Sequence, residues 1–273
     1  MIELTDEILK TVIKKRPRDS YKGTYGSLLV VGGNEQFGGA AILSASAAVY
    51  AGSGLVTVAT AACNHSDLHA RLPEAMVIDW TEDFATSKYD AVVIGCGLGL
   101  TRGDLLEKVL SNQTENQKIV MDGSALTIFG RGQGFRMKFP QHIVLTPHQI
   151  ELQRISGLEI EQQNDESIQR FADSLGVTVV AKSSETRIFS PERETFLLTI
   201  GSPAQATGGM GDTLAGMIGS FLTQFHSDMM ETVSAATYLH SRIAHDLAKN
   251  YYVALPSKII SEIPKYMKRF ESS

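Results

Sequence analysis

The residues "GGMGD" at positions 208–212 combine three glycines with one carboxylate directly ahead of a long apolar segment. Leu214, Met217, Ile218, Phe221, Leu222 and Phe225 recur at the i, i+3, i+4, i+7, i+8, i+11 spacing of a buried helix face, helical from Thr213 onward. The glycines therefore lie at a helix N-terminus. There the first backbone N–H groups lack an internal partner and the helix dipole favours anions. A plain turn with Asp212 as N-cap accounts for the carboxylate, because aspartate caps helices well. It does not account for Gly208, Gly209 and Gly211, whose permissive backbone a cap does not need. Gly208, Gly209, Met210 and Gly211 read instead as an anion hole. Fixed N–H groups can stabilise the charge of a transferring phosphoryl group, with Asp212 placed to take the proton of an attacking hydroxyl.

Four further polar positions follow apolar runs. Lys182 in "AKSSET" (181–186) comes straight after "VTVVA" and reads as a phosphate or nucleotide contact, although a solvated lysine is the ordinary alternative. In "TPHQIEL" (146–152), Pro147 ends a strand and His148 or Glu151 can face a cleft; a capped structural histidine competes equally. Asp122 ends "KIVMD", and Gly97 lies in "GCGLG" (95–99). That glycine run departs from the dinucleotide fingerprint at Leu100, so it reads as a turn or a close-approach loop, with Asp122 where a ribose-binding acid could fall. No GxxxxGK[ST] signature is present, and His226, His240 and His245 show no ligand pattern with carboxylates.

These positions must be held by a scaffold. The sequence predicts a helix over 3–15, then strands in "GSLLVVGG", "LVTVAT", "YDAVVIGCGLG", "KIVMDGSAL", "HIVLTPHQIEL" and "VTVVAKSSET". "GAAILSASAAVYAGSG", closed by Gly52 and Gly54, and "TRGDLLEKVLS" are helices between them. "ETFLLTIG" forms an antiparallel hairpin with "TRIFS" across Pro191, and the chain from 212 onward is helical with Pro256 and Pro264 as breaks. Strands alternating with helices give a mostly parallel sheet covered on both faces, an α/β sandwich in one domain over 1–273. Ligands then bind beyond the carboxyl ends of the strands, which is where Gly97, Asp122, His148, Lys182 and the 208–212 loop fall.

The bulk properties fit a globular protein with a substantial core. The chain has 273 residues, 43% of them hydrophobic, and a net charge of −5, which argues against nucleic acid or a membrane surface as the main partner. No apolar run reaches the roughly 18 residues of a membrane span, and the N-terminus lacks a signal-peptide core. Cys63 and Cys96 form no metal or redox motif, so the expectation is a cytoplasmic protein with no resident metal ligands.

Together, "KGTYGSLLVVGG", "GGAAILSASAAVYAGSGLV", "AVVIGCGLG", "VMDGSAL", "VLTPHQIEL", "VVAKSSET" and "ATGGMGDTLAGMIGSFL" resemble the ADP/ATP-dependent NAD(P)H-hydrate dehydratases of the ribokinase-like superfamily, in order and spacing over nearly the whole chain. The resemblance implies a ribokinase-like three-layer α/β/α fold. It also implies dehydration of the S-epimer of hydrated NADH or NADPH, with ADP or ATP as phosphoryl donor and Mg²⁺ on the nucleotide phosphates. By motif position, Ala40, Gly97, His148 and Asp212 would contact the hydrated dinucleotide. Lys182, Ser183, Ser184, Glu185, Thr186 and Gly211 would contact the adenine nucleotide. A homo-oligomer, up to a tetramer, and a separate NAD(P)H-hydrate epimerase acting alongside are also implied. Four residues depart from the family pattern: Cys96 for proline in "GPGLG", Ser124 for the second acid of "DADAL", Ile150 in "TPHPGE", and Ser183 for the glycine after the lysine. A small-metabolite kinase acting on an alcohol, or a non-enzymatic dinucleotide-binding regulator built on "GCGLG" and Asp122, are the rival readings.

Overall fold

Alternation in the strands settles how the layers stack. In the computed structural model, which describes residues 1–132 and 134–272, the second strand, β2 (Ser27–Val31), sends Leu28 and Val30 to one core and Leu29 and Val31 to the other. β5 (Ala91–Ile94) divides in the same way, with Ala91 and Val93 against Val92 and Ile94. Strands buried on both faces read as continuous apolar runs, which is the pattern of a parallel sheet between helix layers.

The other strands are β1 (Ile2–Glu3), β3 (Leu55–Thr60), β4 (Met76–Asp79), β6 (Lys118–Met121), β7 (Ile143–Leu145), β8 (Thr178–Ala181), β9 (Thr186–Phe189) and β10 (Phe196–Leu198). They form one ten-stranded sheet in the order β1-β10-β9-β8-β7-β6-β5-β2-β3-β4. All pairings are parallel except those of β9, which runs antiparallel to β8 and β10. The expected hairpin is thus present, with Phe196 opposite Ile188.

One face carries α1 (Glu7–Val12), α2 (Gly38–Tyr50), α8 (Met210–Gln224), α9 (Met229–Ala248) and α10 (Pro256–Phe270). The other carries α4 (Gly103–Ser111), α5 (Gly123–Gly130), α6 (Gln149–Ser156) and α7 (Asp165–Leu175); α3 (His65–Arg71) follows β3 and adds Leu68 to the first core. α8 is buried from Thr213 to Gln224 on every side, as expected of a helix that is apolar all round. Its Gly216 lies so near α2 that a Cβ would come within 2.0 Å of the Ser44 carbonyl oxygen.

Several expectations need correction. Residues 3–15 are not one helix: Ile2 and Glu3 pair in parallel with β10, and α1 covers only Glu7–Val12. The sheet edge takes the first residues because β10 offers unpaired backbone groups there. α8 begins at Met210 rather than Thr213, with Gly209 as its N-cap; Asp212 is the third helical residue and makes no capping bond. Phe225 is that helix's C-cap. Pro264 lies inside α10 instead of ending it, on the exposed side, where water can take the carbonyl its ring leaves unpaired. "GSAL" after β6 opens α5, and "QIEL" opens α6; neither continues its strand.

Candidate active site

The site collects where strands of the sheet end. β6 delivers Asp122, the N-cap position of α5, and β8 delivers Lys182. Lys182 Nζ meets Asp122 Oδ1 at 2.7 Å and lies 3.9 Å from Glu151 Oε2. Thr146, just after β7, donates its hydroxyl to the same Asp122 oxygen at 2.7 Å. The backbone beyond β7 and β8 continues to pair, His148 with Lys182, and Lys182 N–H donates to Pro147 O at 2.9 Å. Burial alone would lower the lysine's affinity for its proton, but the Asp122 and Glu151 carboxylates outweigh it and hold the group above its ordinary range.

Glu151 is held by a reciprocal cap at the start of α6. His148 N–H donates to Glu151 Oε2 at 2.9 Å, and Glu151 N–H donates to His148 Nδ1 at 3.4 Å. Burial pushes the Glu151 carboxyl up to about 6, against the pull of Lys182. His148 is half-exposed, and burial together with the Lys182 cation lowers its proton affinity. The histidine is therefore both a cap and a lining residue, so the two readings of its motif are compatible.

The glycine loop comes over this cluster from the opposite side. Gly209 adopts φ +91°, and a Cβ there would meet Leu43 Cδ1 at 2.4 Å. This left-handed turn starts α8 in a conformation that only glycine adopts without strain. The first intrahelical bond is Thr213 N–H to Gly209 O at 3.0 Å, so the N–H groups of Met210, Gly211 and Asp212 are the helix's free donors. A Cβ on Gly211 would stand 3.1 Å from Lys182 Nζ and 3.3 Å from Asp122 Oδ2. Burial first, and then the Asp122 charge, raise the Asp212 carboxyl to about 6. A carboxylate whose proton affinity is raised in this way, beside free amides, can act as a proton acceptor next to a site suited to an anion.

"GCGLG" is a strand-to-helix turn with Gly95, Gly97 and Gly99 all at positive φ. The space beside Gly97 is filled by the start of α2, since a Cβ would lie 2.4 Å from Phe37 O and 3.0 Å from Ala40 Cβ. Ala40 and Gly97 are thus neighbours. Asp122 is buried, and its Oδ1 is committed to Lys182 and Thr146, while its Oδ2 faces Gly211, 3.3 Å from where a Cβ there would stand.

A cavity of about 550 Å³ opens next to the cluster, lined by His148, Lys182, Ser183, Ser184, Thr186 and Gly211 among others. Glu185 is not among its lining residues; its carboxylate pairs with Arg187 at 3.2 Å. Ser183 folds its hydroxyl onto its own turn, donating to Glu185 O at 2.7 Å. Ser124 accepts the Gly99 N–H at 3.2 Å and so ties the glycine turn to α5, while Ile150 is exposed. Sequence reasoning missed two parts of the wall: the segment 201–206 after β10, and Thr237, His240 and Ser241 of α9. The i, i+3, i+4 spacing of the three α9 residues was the available signal. His240 is buried, its Nε2 has no partner, and burial with the Lys182 cation lowers its proton affinity to about 4.

Among the described residues, Cys96, Asp122 and Asp212 form the one group whose ligand atoms approach within 4.8 Å of one another. Burial, and then the Asp212 and Asp122 charges, raise the Cys96 thiol far above its usual range. Mg²⁺ takes oxygen donors in octahedral geometry and a thiol is a soft ligand, so this group, with two carboxylates and a sulfur, does not fit a resident Mg²⁺.

The NAD(P)H-hydrate dehydratase family model matches residues 28–265. The chain is 62% identical to the ADP-dependent (S)-NAD(P)H-hydrate dehydratase of Lactococcus lactis, covering 99% of this chain and 100% of that one. It superposes on a ribokinase-like superfamily protein of Enterococcus faecalis with TM-score 0.96 at 46% identity, over 100% of this chain and 97% of that one. It also superposes on the ADP/ATP-dependent NAD(P)H-hydrate dehydratase of Bacillus subtilis, co-crystallised with ATP and Mg²⁺, with TM-score 0.89 at 28% identity over 99% of both chains. The fold is therefore ribokinase-like, and with its glycine loop, buried lysine and strand-end cluster the chain belongs to the NAD(P)H-hydrate dehydratase family.

Proposed function

We propose that this enzyme dehydrates the S-epimer of hydrated NADH or NADPH to the reduced cofactor, using ADP or ATP as phosphoryl donor. The observation that carries this reading is the full-length 62% identity to an enzyme of that name, and the local chemistry agrees with it. Asp212 accepts the proton of the ring hydroxyl as its oxygen attacks the terminal phosphorus of the nucleotide. The amides of Met210 and Gly211 bear the phosphoryl charge in flight, with Lys182 beside them. The phosphorylated hydroxyl then leaves as inorganic phosphate with its bonding electrons, the adjacent ring carbon releases a proton to solvent, and the ring double bond is restored, with the donor nucleotide left one phosphoryl group shorter.

Ala40, Gly97 and His148 are assigned to the dinucleotide, and the turn from Lys182 to Thr186 with Gly211 to the adenine nucleotide. The cavity beside that turn, about 550 Å³, has the size of a small-molecule site. Mg²⁺ enters with the nucleotide as part of the substrate complex. The same reading assigns all 273 residues to one domain. It includes a homo-oligomeric, cytoplasmic enzyme, supplied by a separate epimerase that converts the other epimer; no helix among the described residues is long and apolar enough to cross a membrane.

Incubation with authentic hydrated cofactor, Mg²⁺ and either nucleotide tests the proposal. Reduced nicotinamide absorbance should return with stoichiometric release of inorganic phosphate. A stable phosphorylated product, or dinucleotide binding without nucleotide turnover, would overturn it.

A further inference from the structure

We propose that Arg131 and Arg154 form the subsite for the 2′-phosphate of hydrated NADPH, and so make this enzyme favour hydrated NADPH over hydrated NADH. The inference rests on the dehydration reading above and on the dinucleotide lying over Gly97 and His148. A further cavity, of about 380 Å³, is lined by Leu100, Thr127, Gly130, Arg131 and Arg154. No carboxylate lines it. Arg102, Arg187 and Arg242 pair with carboxylates, whereas Arg131 and Arg154 pair with none among the described residues. Two uncompensated guanidinium groups thus share one cavity in a chain of net charge −5.

The fold brings the two arginines together from different helices. A Cβ on Gly130 would stand 2.5 Å from Arg154 O, so a glycine is what lets the end of α5 meet the backbone of α6. Arg131 follows as the C-cap of α5. Arg154 Nη1 donates to Thr127 Oγ1 at 3.2 Å, which fixes one corner of the guanidinium and leaves the rest of its fork for a ligand. The cavity also shares its walls with the dinucleotide groups. Leu100 continues the turn that holds Gly97. Arg154 lies on the helix that His148 caps, about 9 Å beyond it at 1.5 Å per residue. A guanidinium offers a planar set of donors that matches phosphate oxygens and stays charged at any working pH. The pyrophosphate bridge is the competing anion, but it lies mid-way along the dinucleotide with its charge divided between two phosphorus atoms. The 2′-phosphate is a monoester of about −1.5 to −2 charge on the distal adenosine. A paired-arginine cavity set apart from the reacting centre suits that terminal group, and the exposed Leu100 gives the adenosine an apolar contact.

NADPH and NADH, which differ only in the 2′-phosphate, are the probes, because they report binding without turnover. Titrated into the full-length protein, NADPH should bind at least about 10-fold more tightly than NADH, the scale of charge-assisted hydrogen bonds. Arg131→Ala and Arg154→Ala should each weaken NADPH about 5-fold or more and leave NADH where it was. The double variant should bind the two cofactors equally. Arg131 is exposed, so its removal does not endanger the fold. Arg154→Lys, which keeps the charge and loses the fork, should restore part of the preference. Equal weakening of NADPH and NADH would put the pyrophosphate at the arginines and overturn the proposal. Absence of any preference in the wild type, or a preference that survives the double variant, would overturn it too. If hydrated cofactor is not dehydrated while an arginine-dependent preference for NADPH persists, the dehydratase assignment falls and the subsite stands.

Discussion

Lys182 Nζ stands 2.7 Å from Asp122 Oδ1, joining the ends of β8 and β6 beneath the glycine loop. Both groups are largely buried, so each is the other's compensation for lost water. Lys182→Ala therefore does more than remove a nucleotide contact. It strands the Asp122 carboxylate, and the expected loss of stability is about 3 kcal/mol, alongside a raised nucleotide KM. The double variant Lys182→Ala/Asp122→Asn should regain part of that stability while the KM stays high. Urea unfolding and initial rates on the three proteins measure the two effects separately. Full additivity of the stability losses would mean the pair is not coupled.

Asp212→Asn should lower kcat at least ~10²-fold, the usual scale for a lost general base. The same change should stabilise the protein at neutral pH. The folded carboxyl is raised from 3.8 to about 6, so the native state binds more protons than the unfolded chain between those values, and stability falls as pH rises through them. Above pH 6 the full cost is present, and a neutral amide removes it. The gain is on the order of 1–3 kcal/mol. Melting temperatures at pH 7.5 and pH 4 should diverge for wild type and variant only at the higher pH.

Burial raises the Glu151 and Asp212 carboxyls alike, each to about 6. Activity should fall below pH 6 as the base takes its proton. With two carboxyls in the same window, the limb of kcat/KM should be steeper than one ionisation gives. Glu151→Gln should reduce it to a single ionisation without removing it. A limb that disappears in Glu151→Gln would reassign the base.

Gly209→Ala places a Cβ at a left-handed position and within 2.4 Å of Leu43 Cδ1. Backbone strain of about 1–2 kcal/mol is expected, and the start of α8 should shift. Turnover should drop more than nucleotide affinity, because the free amides bear most charge in the transition state. Equal losses in both would mean that the loop serves ground-state binding.

Legibility in the sequence followed physical reach. The inner parallel strands β2, β3, β5, β6, β7 and β8 were readable because each is a largely apolar run between two helix layers, and their trailing polar residues fell where such sheets bind ligands, whereas the edge strand β4, with Met76 exposed, was missed. α7 was equally readable and was missed: Asn164 caps it through Ser167, and Ile168, Phe171, Ala172 and Leu175 keep helical spacing. β1 was not readable, because two residues gain strand geometry only by pairing with Phe196 and Leu197 far along the chain.

The sequence by itself determined the glycine loop and its carboxylate at the head of a helix, the strand-end lysine and the mostly parallel character of the sheet. Those are local matters of backbone freedom and apolar period, which neighbouring residues decide. Only the tertiary structure paired Lys182 with Asp122, gathered Cys96, Asp122 and Asp212, and brought Thr237, His240 and Ser241 to the cavity wall. Each of these depends on residues far apart in the chain meeting in a water-poor interior. There the strength of a charge or a hydrogen bond is set by what surrounds it, and no stretch of sequence contains its own surroundings.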